Sequence, residues 1–324
     1  MLRFKIFRFL KILSQQKDKL NAENLSKYID NSNLIKEILL QNDFKYLWRQ
    51  ATKSQILNET YKLKRIKINK IKDHCTILLK INHSLTLMDS NSTKNSKEIL
   101  ELYLQLSKSP KWKINNIVNK ELQPILYEKL VNNKAPSYNL FDNSSYWKAK
   151  INNLDNILSS FNELKNNNYR NTSKNFSINY NVNKAVEYAR NYALKPNKLY
   201  KDFSDEGGDC TNFVSQCLFA GNLPLSNSWQ PYTGTWIRVT ELYYYLLRKS
   251  YGHESDNKFD FQKGSIIQFF SNTKGYYAHS GIITEVLSNG DCLYCCHSYN
   301  KLDYPLSEIY PILYDKFRII HITY

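Results

Sequence analysis

Glycine, proline and methionine are scarce in this chain of 324 residues, which contains 9, 8 and 2 of them. No uninterrupted apolar stretch approaches the ~20 residues of a membrane-spanning helix, so we expect no such span. The chain also lacks a zinc-finger pattern and any segment that marks a nucleic-acid-binding face, which argues against nucleic acid as a partner. Its apolar content, 42%, is that of a folded protein long enough for two domains.

The six cysteines show no spacing that is typical of a disulfide framework. This fits a reducing compartment, or an enzyme with one working thiol. The cluster Cys292, Cys295, Cys296 and His297 resembles a metal site only superficially. Alternation along a strand sends Cys292 and Cys296 to one face and the other two residues to the opposite face. We therefore predict no metal site in this cluster.

The chain carries a net charge of +16, with 45 basic and 29 acidic residues. Such an excess favours an anionic partner, either a membrane surface or an acidic cell-wall polymer. Residues 1–13 intersperse basic residues among large hydrophobic ones and lack the pattern of a signal peptide. Without a signal or a span, the default location is the cytoplasm, with non-classical export or wall association as the alternative.

Two interpretations of this basic N-terminal segment stay open. Its apolar residues share one helical face: Leu2, Ile6, Phe9, Leu10 and Leu13. That face would lie on a membrane surface. Alternatively, it packs against the rest of the protein, as most amphipathic helices do.

The spacing of apolar residues divides the chain in two. Residues 1–165 show spacings of three and four with almost no glycine, which predicts a helical N-terminal domain of unknown function. Its predicted helices are Asn33–Leu47, Ser54–Leu79, Ser96–Leu106 and Ile151–Leu164. The Asn- and Ser-rich residues 166–177 predict a linker. No catalytic set of residues is recognisable before it.

Residues 178–324 combine helices with short strands. We predict helices over Asn183–Tyr192, Cys210–Ala220 and Thr240–Lys249, and strands over Ser265–Phe270, Ala278–Leu287, Cys292–Ser298 and Phe317–Ile322. Helices followed by an antiparallel sheet define the α+β class.

The most informative segment is Gly207–Gln216, with the sequence GGDCTNFVSQ. A glycine pair leads directly into a helix in which Asp209 is the predicted N-cap and Cys210 lies in the first turn. Because a helix N-terminus favours an anion, it lowers the pKa of a thiol there. Cys210 is therefore a candidate nucleophile. The alternative is a small buried core residue, a common role of free cysteine.

Several segments occur in an order that resembles a known family. They are Tyr180-Asn181, Lys184-Ala185-Val186, the Gly207–Gln216 motif, Trp236, Ile267-Gln268-Phe269, His279-Ser280 and His297-Ser298. Over roughly residues 178–322 the chain resembles the "putative amidase domain" family of low-GC Gram-positive bacteria, a branch of the papain-like fold related to NlpC-type and CHAP-type peptidoglycan amidases. The resemblance implies a papain-like domain with its antiparallel sheet packed on the nucleophile helix. It also implies that the substrate is a peptidoglycan peptide or amide link, and that no cofactor is needed.

A cysteine amidase needs a general base and a group that orients this base. His279, at the start of a strand, is the predicted base. His297 is its predicted orienter, with Asn300 as the alternative. The turn signal Asn289-Gly290 allows two hairpin registers. A three-residue loop with left-handed Gly290, or an equivalent bulge, would place His297 opposite Gly281 and on the face of His279, so we predict that loop. A two-residue loop would place His297 on the other face.

Three further residues are assigned to substrate binding. Asp209 is predicted to bind a substrate amine or to cap the helix. Trp229 and Trp236 are predicted to line the substrate groove, with core packing as the alternative.

The resulting hypothesis is a cysteine-dependent amidase or peptidase. The alternative is a catalytically idle binding module, attached through its basic helices to a membrane or an anionic wall polymer.

Overall fold

The computed structural model describes residues 2–13, 20–132, 144–159 and 179–323. They form two compact units. The first comprises residues 1–88 and 99–157, and the second comprises residues 89–98 and 158–324. A short segment from the first half of the chain thus belongs to the C-terminal unit, which a division at residue 165 does not anticipate. The predicted linker at 166–177 lies outside the described residues.

The helices of the first unit are α1 (Leu2–Leu13), α2 (Ala22–Ser26), α3 (Ser32–Ala51), α4 (Pro124–Val131), α5 (Ser144–Asn152) and α6 (154–159). Asn21 and Asn31 cap α2 and α3, because their side-chain oxygens accept hydrogen bonds from first-turn N–H groups. The predicted helix Asn33–Leu47 is confirmed by α3. The helix predicted at Ile151–Leu164 is divided in the structure, because α5 ends at Asn152 and α6 covers 154–159, and the rest of the prediction lies outside the described residues.

Helix α1 uses its apolar face for packing inside the first unit. Ile6, Phe9 and Leu10 are buried in a core with residues of α2 and of the strands, and Leu2 and Leu13 pack against the same core. The face that a membrane-surface helix would need is therefore already covered, and the structure supports the packed-helix interpretation. Within the described ranges, no helix combines the length and the apolar character that crossing a bilayer requires.

The first unit also contains strands that the sequence prediction missed. They are β1 (Gln55–Ile71), β2 (His74–Asp89), β3 (Ser92–Lys108), which begins in the second unit, and β4 (Trp112–Asn119). β2 lies between β1 and β3, and β4 pairs with β3. The predicted helices Ser54–Leu79 and Ser96–Leu106 are therefore wrong, and so is the expectation of a wholly helical N-terminal domain.

The error has a physical cause in each strand. In β1, a register shift between Leu63 and Arg65 inserts a bulge. An inserted residue changes the phase of a strand, so Leu63 and Ile66 contact the same core although they are three residues apart. In β3, Leu102 and Leu104 belong to one core and Tyr103 to another. Burial on both faces produces a continuous apolar run, which periodicity alone does not distinguish from a helix.

The second unit contains a larger antiparallel sheet and most of its helices. The helices are α7 (Val182–Tyr192), α8 (Cys210–Ala220), α9 (Gly234–Ile237) and α10 (Val239–Arg248). The strands are β5 (Gly252–Glu254), β6 (Ile266–Ser271), β7 (Tyr276–Val286), β8 (Cys292–Cys296), β9 (Lys301–Pro305) and β10 (Phe317–Ile322). Their order in the sheet is β9-β8-β7-β6-β10-β5, and residues 97–98 of β3 pair with β9. The predicted α+β class is confirmed.

Helix α8 packs against one face of this sheet. Its residues Phe213, Val214 and Cys217 share a core with Ile282 and Cys295 of β7 and β8. All of these side chains are fully buried. Since α8 begins at Cys210, this packing fixes the candidate nucleophile at the end of a rigid element.

The β7–β8 hairpin has the predicted loop, but its register differs from the prediction. Leu287 N donates to Asp291 O at 2.8 Å, and Gly290 is left-handed with φ 82°, so the loop is Ser288-Asn289-Gly290. A bulge then occurs between Ile283 and Glu285, and beyond it Ile282 pairs with Cys295. Extending this register places position 297 opposite Ser280. The predicted position of His297 opposite Gly281 is therefore wrong, because the bulge reverses the effect of the loop.

We expect Gly290→Ala to destabilise the hairpin by about 1 kcal/mol, since a left-handed conformation is unfavourable for residues with a Cβ. Gly290→Asn is the matched control and should lose less stability, because asparagine tolerates the left-handed conformation better than alanine does. Urea unfolding of both variants measures the difference, and an equal loss would contradict a backbone origin.

Candidate active site

The start of α8 is built by the glycine pair and Asp209. Gly207 and Gly208 have φ values of 101° and 115°, which side chains with a Cβ rarely adopt. Ser298 Oγ lies 3.0 Å from the place of a Cβ at Gly208 and accepts a hydrogen bond from Asp209 N at 2.8 Å. Glycine at 208 therefore lets the loop after β8 approach the helix start.

Asp209 occupies the N-cap position, but its side chain makes no capping hydrogen bond. The predicted N-cap position is thus confirmed, whereas the predicted hydrogen bonds from the first-turn N–H groups to its carboxylate are wrong. Its Oδ1 instead accepts from Phe203 N at 3.0 Å and from Asn212 Nδ2 at 2.7 Å, while Oδ2 lies 2.6 Å from His297 Nδ1. The first-turn N–H groups of α8 are left without a side-chain cap, and such groups bind anions.

Two backbone N–H groups, one from α8 and one from β7, act on the Cys210 sulfur. The N–H groups of Thr211 and Ser280 point to Sγ, which favours the thiolate, and Thr211 Oγ1 lies 3.8 Å from it. Burial has the larger and opposite effect, because the side chain is only 7% exposed. It raises the pKa of the Cys210 thiol above its ordinary value. The lowering expected from the helix N-terminus is therefore overturned by desolvation.

The alternation of strand amides explains how the sulfur reaches Ser280. Ile283 N donates to Ser265 O on the β6 side of β7. Amides along a strand point alternately to its two neighbours, so Ser280 N–H points toward β8. Because β8 ends at Cys296, no carbonyl of β8 accepts a hydrogen bond from the Ser280 N–H. The Cys210 sulfur lies where such a carbonyl would be. Cys210 thus lies at the strand edge, one residue from His279.

His279 projects to the sheet face opposite the α8 core. It pairs with Phe269 of the neighbouring strand β6. Its ring packs near those of Phe269, Tyr299 and Tyr314 at centroid distances of 5.7, 5.3 and 6.3 Å. Burial, with a smaller contribution from the charge of Lys301, lowers its pKa to about 3. The imidazole is therefore neutral at physiological pH.

The His279 ring is not joined to the thiol in this state. Among the residues that the structure describes, His279 Nε2 is buried without a hydrogen-bond partner, and no hydrogen bond links the ring to Cys210. A buried nitrogen that lacks a partner is costly and calls for an explanation. A proton-accepting role is such an explanation, so His279 remains the predicted base.

His297 does not orient His279. Its Nδ1 contacts Asp209 Oδ2 at 2.6 Å, its Nε2 contacts Tyr192 O at 2.9 Å, and its ring stacks on Phe213 at 4.1 Å. Both nitrogens are thus engaged elsewhere. The predicted role is wrong because the bulge in β7 directs His297 toward the helices.

The contacts of His297 fix most of its hydrogens. The Tyr192 carbonyl only accepts, so Nε2 carries a hydrogen. A single further proton is then shared between Nδ1 and the Asp209 carboxyl. Whether this proton resides on nitrogen or oxygen, the pair has no net charge, which makes its burial tolerable.

The predicted substrate-binding residues are all buried. Both Asp209 oxygens are engaged within the protein, and Trp229 and Trp236 are fully buried in the α8 core. Trp236 Nε1 donates to Asn212 Oδ1 at 2.8 Å, and Trp229 Nε1 donates to Ser215 Oγ at 3.3 Å. The assignment of the two tryptophans to a groove is therefore wrong, and the core alternative is correct.

The six cysteines are free thiols, all of them buried. Cys295 faces the α8 core beside Ile282, whereas Cys296 lies on the other face next to Gly281. Strand alternation thus separates the cluster at 292–297 as expected. Over the described parts of the chain, no three His, Cys, Asp or Glu side chains are grouped to hold a metal ion.

Sequence analysis missed Ser280, Ser298 and Tyr192 as parts of this site. Ser280 and Tyr192 contribute backbone groups, which any residue could supply, so the sequence carries no signal for them. Ser298 was readable in part, since it follows a candidate histidine and Gly208 leaves room for it.

The fold and the site define an α+β domain with a buried cysteine at the open end of its central helix. Residues 179–320 match the family described as "Putative amidase domain", which confirms the resemblance and covers less than half of the chain. The description of this family names an amidase, an enzyme that hydrolyses amides.

Two relatives come from Bacillus subtilis (strain 168). The uncharacterized protein YjcM is 36% identical over 129 residues, which cover 36% of this chain and 31% of YjcM. The uncharacterized protein YhbB is 40% identical over 57 residues, which cover 18% of this chain and 17% of YhbB. The chain thus spans a third or less of the relatives that it matches. No solved structure matches it.

We expect Asp209→Ala to destabilise the protein by about 3–5 kcal/mol, because it leaves His297 buried without its partner. Asp209→Asn should lose only about 1 kcal/mol, since an amide N–H can donate to Nδ1 of a neutral imidazole while Nε2–H still reaches Tyr192. Chemical denaturation of the two variants separates these values. Similar losses would show that the pair does not hold the helix start.

Proposed function

We propose that the domain at residues 179–320 is a cysteine-dependent amidase or peptidase with Cys210 as its nucleophile. The observation that carries this proposal is the placement of Sγ at the start of α8, where the N–H groups of Thr211 and Ser280 point to it. Groups of this kind stabilise a thiolate and, after attack, an oxyanion. The amidase family assignment supplies the reaction class.

We further propose that the domain is papain-like and acts on peptidoglycan peptides or their amide links. The motif Gly207–Gln216 and the order of Cys210, His279 and His297 support both points through their similarity to NlpC-type and CHAP-type enzymes. The packing of an antiparallel sheet on the nucleophile helix is consistent with such a fold. The substrate proposal rests on the resemblance alone.

The proposed reaction has two halves. His279 accepts the Cys210 proton as the sulfur attacks the amide carbonyl, and the tetrahedral oxyanion is bound by N–H groups at the helix start. The C–N bond then breaks, the proton passes from the imidazole to the departing amine, and a thioester remains. Water, deprotonated by His279, cleaves the thioester and returns the proton to the sulfur.

The described state is a resting state of this cycle. Burial raises the pKa of Cys210 and lowers that of His279 to about 3, so the proton stays on sulfur and the imidazole is neutral. Proton transfer between them requires that the ring turn to the sulfur and that the site become more polar. A bound amide would supply dipoles that the resting site lacks.

The binding module remains the second candidate. The absence of a hydrogen bond between Cys210 and His279 favours it, and so does the distribution of charge. Residues 1–88 and 99–157 contain 26 Lys and Arg against 12 Asp and Glu, which places +14 of the net +16 in the first unit. Such a strongly basic first unit suits attachment to an anionic surface.

Digestion of purified muropeptides, followed by mass spectrometry, tests the activity. We expect Cys210→Ala to lower the rate of amide cleavage by about a thousand-fold or more, because it removes the nucleophile. Cys217→Ala is the matched control, since this thiol is also buried in α8 but faces the core. The Cys217→Ala variant should keep the wild-type rate of cleavage. Equal cleavage by wild type and Cys210→Ala would overturn the cysteine mechanism, and no cleavage by wild type would favour the binding module.

The pH dependence of alkylation tests the resting state. With its pKa raised, Cys210 holds less thiolate at pH 7 than an ordinary cysteine, so iodoacetamide should label it slowly, with a half-maximal pH above that of an ordinary cysteine. The urea-unfolded protein should show the ordinary midpoint near about 8.5. Half-maximal labelling of the folded protein well below pH 8, lost in His279→Gln, would instead reveal a preformed thiolate–imidazolium pair.

A further inference from the structure

A segment outside the matched domain completes the sheet of the second unit. In β3, Lys97 pairs with Leu302 and Glu98 pairs with Lys301. Other contacts fasten the same segment. Ser288 N donates to Asp89 Oδ1 at 2.8 Å, and Lys94 forms an ion pair with Glu285. The β9 edge is thus covered by residues that come before position 99 in the chain.

Glu98 makes the most buried of these contacts. Its Oε2 accepts from Lys301 Nζ at 2.9 Å, and its Oε1 accepts from Tyr304 Oη at 2.7 Å. Glu98 is 5% exposed and Lys301 is 1% exposed. Two charges so deeply buried are tolerated only when they compensate each other. A neutral residue at position 98 would remove the negative charge that lies 2.9 Å from the Lys301 ammonium.

Lys301 connects this pair to the candidate base. Its Nζ also donates to Tyr299 O at 3.4 Å, and the Tyr299 ring lies 5.3 Å from the His279 ring. The charge of Lys301 also disfavours the imidazolium form of His279. The contacts therefore run from Glu98 through Lys301 and Tyr299 to His279.

We propose that Glu98 is a positioning residue of the amidase site, which neutralises Lys301 and, through Tyr299, holds the imidazole of His279. This inference rests on the proposed function, since it assigns His279 a proton to accept. It means that the domain at 179–320 depends on a residue from outside its own boundaries.

The physical consequence concerns the step in which His279 becomes positively charged. A neutral residue at 98 would remove a negative charge next to Lys301, so that the positive charge of Lys301 would act more strongly on His279 in surroundings where charges interact strongly. The imidazolium would then be harder to form, and kcat would fall. KM should change little, because none of the four residues in this chain of contacts is assigned to substrate.

The test uses the full chain with Glu98→Gln and, as matched control, Lys94→Gln. The control breaks another ion pair of the same segment, but one that does not lead to His279. We expect Glu98→Gln to lower kcat by about ten-fold or more with KM nearly unchanged. Lys94→Gln should keep both values. Wild-type kcat in Glu98→Gln would overturn the inference while leaving the proposed function intact.

A double variant, Glu98→Gln with Lys301→Met, separates charge compensation from mere structural support. It removes both buried charges, so it should fold even if Glu98→Gln alone does not. Recovery of kcat to within about three-fold of wild type would support the proposal. A folded double variant as slow as Glu98→Gln, or inactive when that variant does not fold, would overturn it.

Nuclear magnetic resonance of the His279 ring gives a readout that needs no activity. Its signals are assigned by their loss in His279→Gln. They should shift in Glu98→Gln, or in the double variant if only that one folds, and stay in place in Lys94→Gln. If wild type cleaves no amide, the proposed function fails, and this shift alone decides whether Glu98 positions the ring. Unmoved signals would overturn the inference.

Discussion

The buried pair of Asp209 and His297 holds the site together. It ties the residue before the nucleophile to the loop after β8, and Tyr192 O ties the same imidazole to the end of α7. Ser298 adds a second bond from that loop to the Asp209 backbone. Three separate parts of the chain therefore converge on the first turn of α8, and the position of the Cys210 sulfur follows from their convergence. The pair is net neutral, so it gives this rigidity without an isolated buried charge.

Two opposing effects act on the sulfur, and their balance defines the resting molecule. The helix start and the strand amide favour an anion, whereas burial disfavours it more strongly. The same burial keeps His279 neutral. With the thiol protonated and the imidazole neutral, the two groups form no ion pair in this state. Protection of the nucleophile from oxidation is a further result, because oxidation requires an accessible thiolate.

The C-terminal unit was largely predictable because its elements are short and separated by clear signals. Strand Phe317–Ile322 and the helices around Cys210 and Leu242 agree with prediction to within a residue or two. The first unit was not, since a bulge in β1 imitates helical spacing and burial of both faces of β3 hides its alternation. Within the site, the local sequence correctly predicted the position of Cys210, the start of its helix and the three-residue hairpin loop. The hydrogen-bond partners of His297 could not be predicted, because a one-residue bulge near Thr284 changes the sheet face on which His297 lies.

The pairing of Glu98 with Lys301 also constrains how the protein folds. The two residues are separated by most of the chain, so the β9 edge has a very high contact order and closes late. During synthesis, the N-terminal half of β3 is made long before β9, so its edge stays unpaired until β9 has been made. An unpaired strand edge of this kind is prone to aggregation. This part of β3 carries the charged residues Lys94, Lys97 and Glu98, and charged side chains on a strand edge oppose such aggregation.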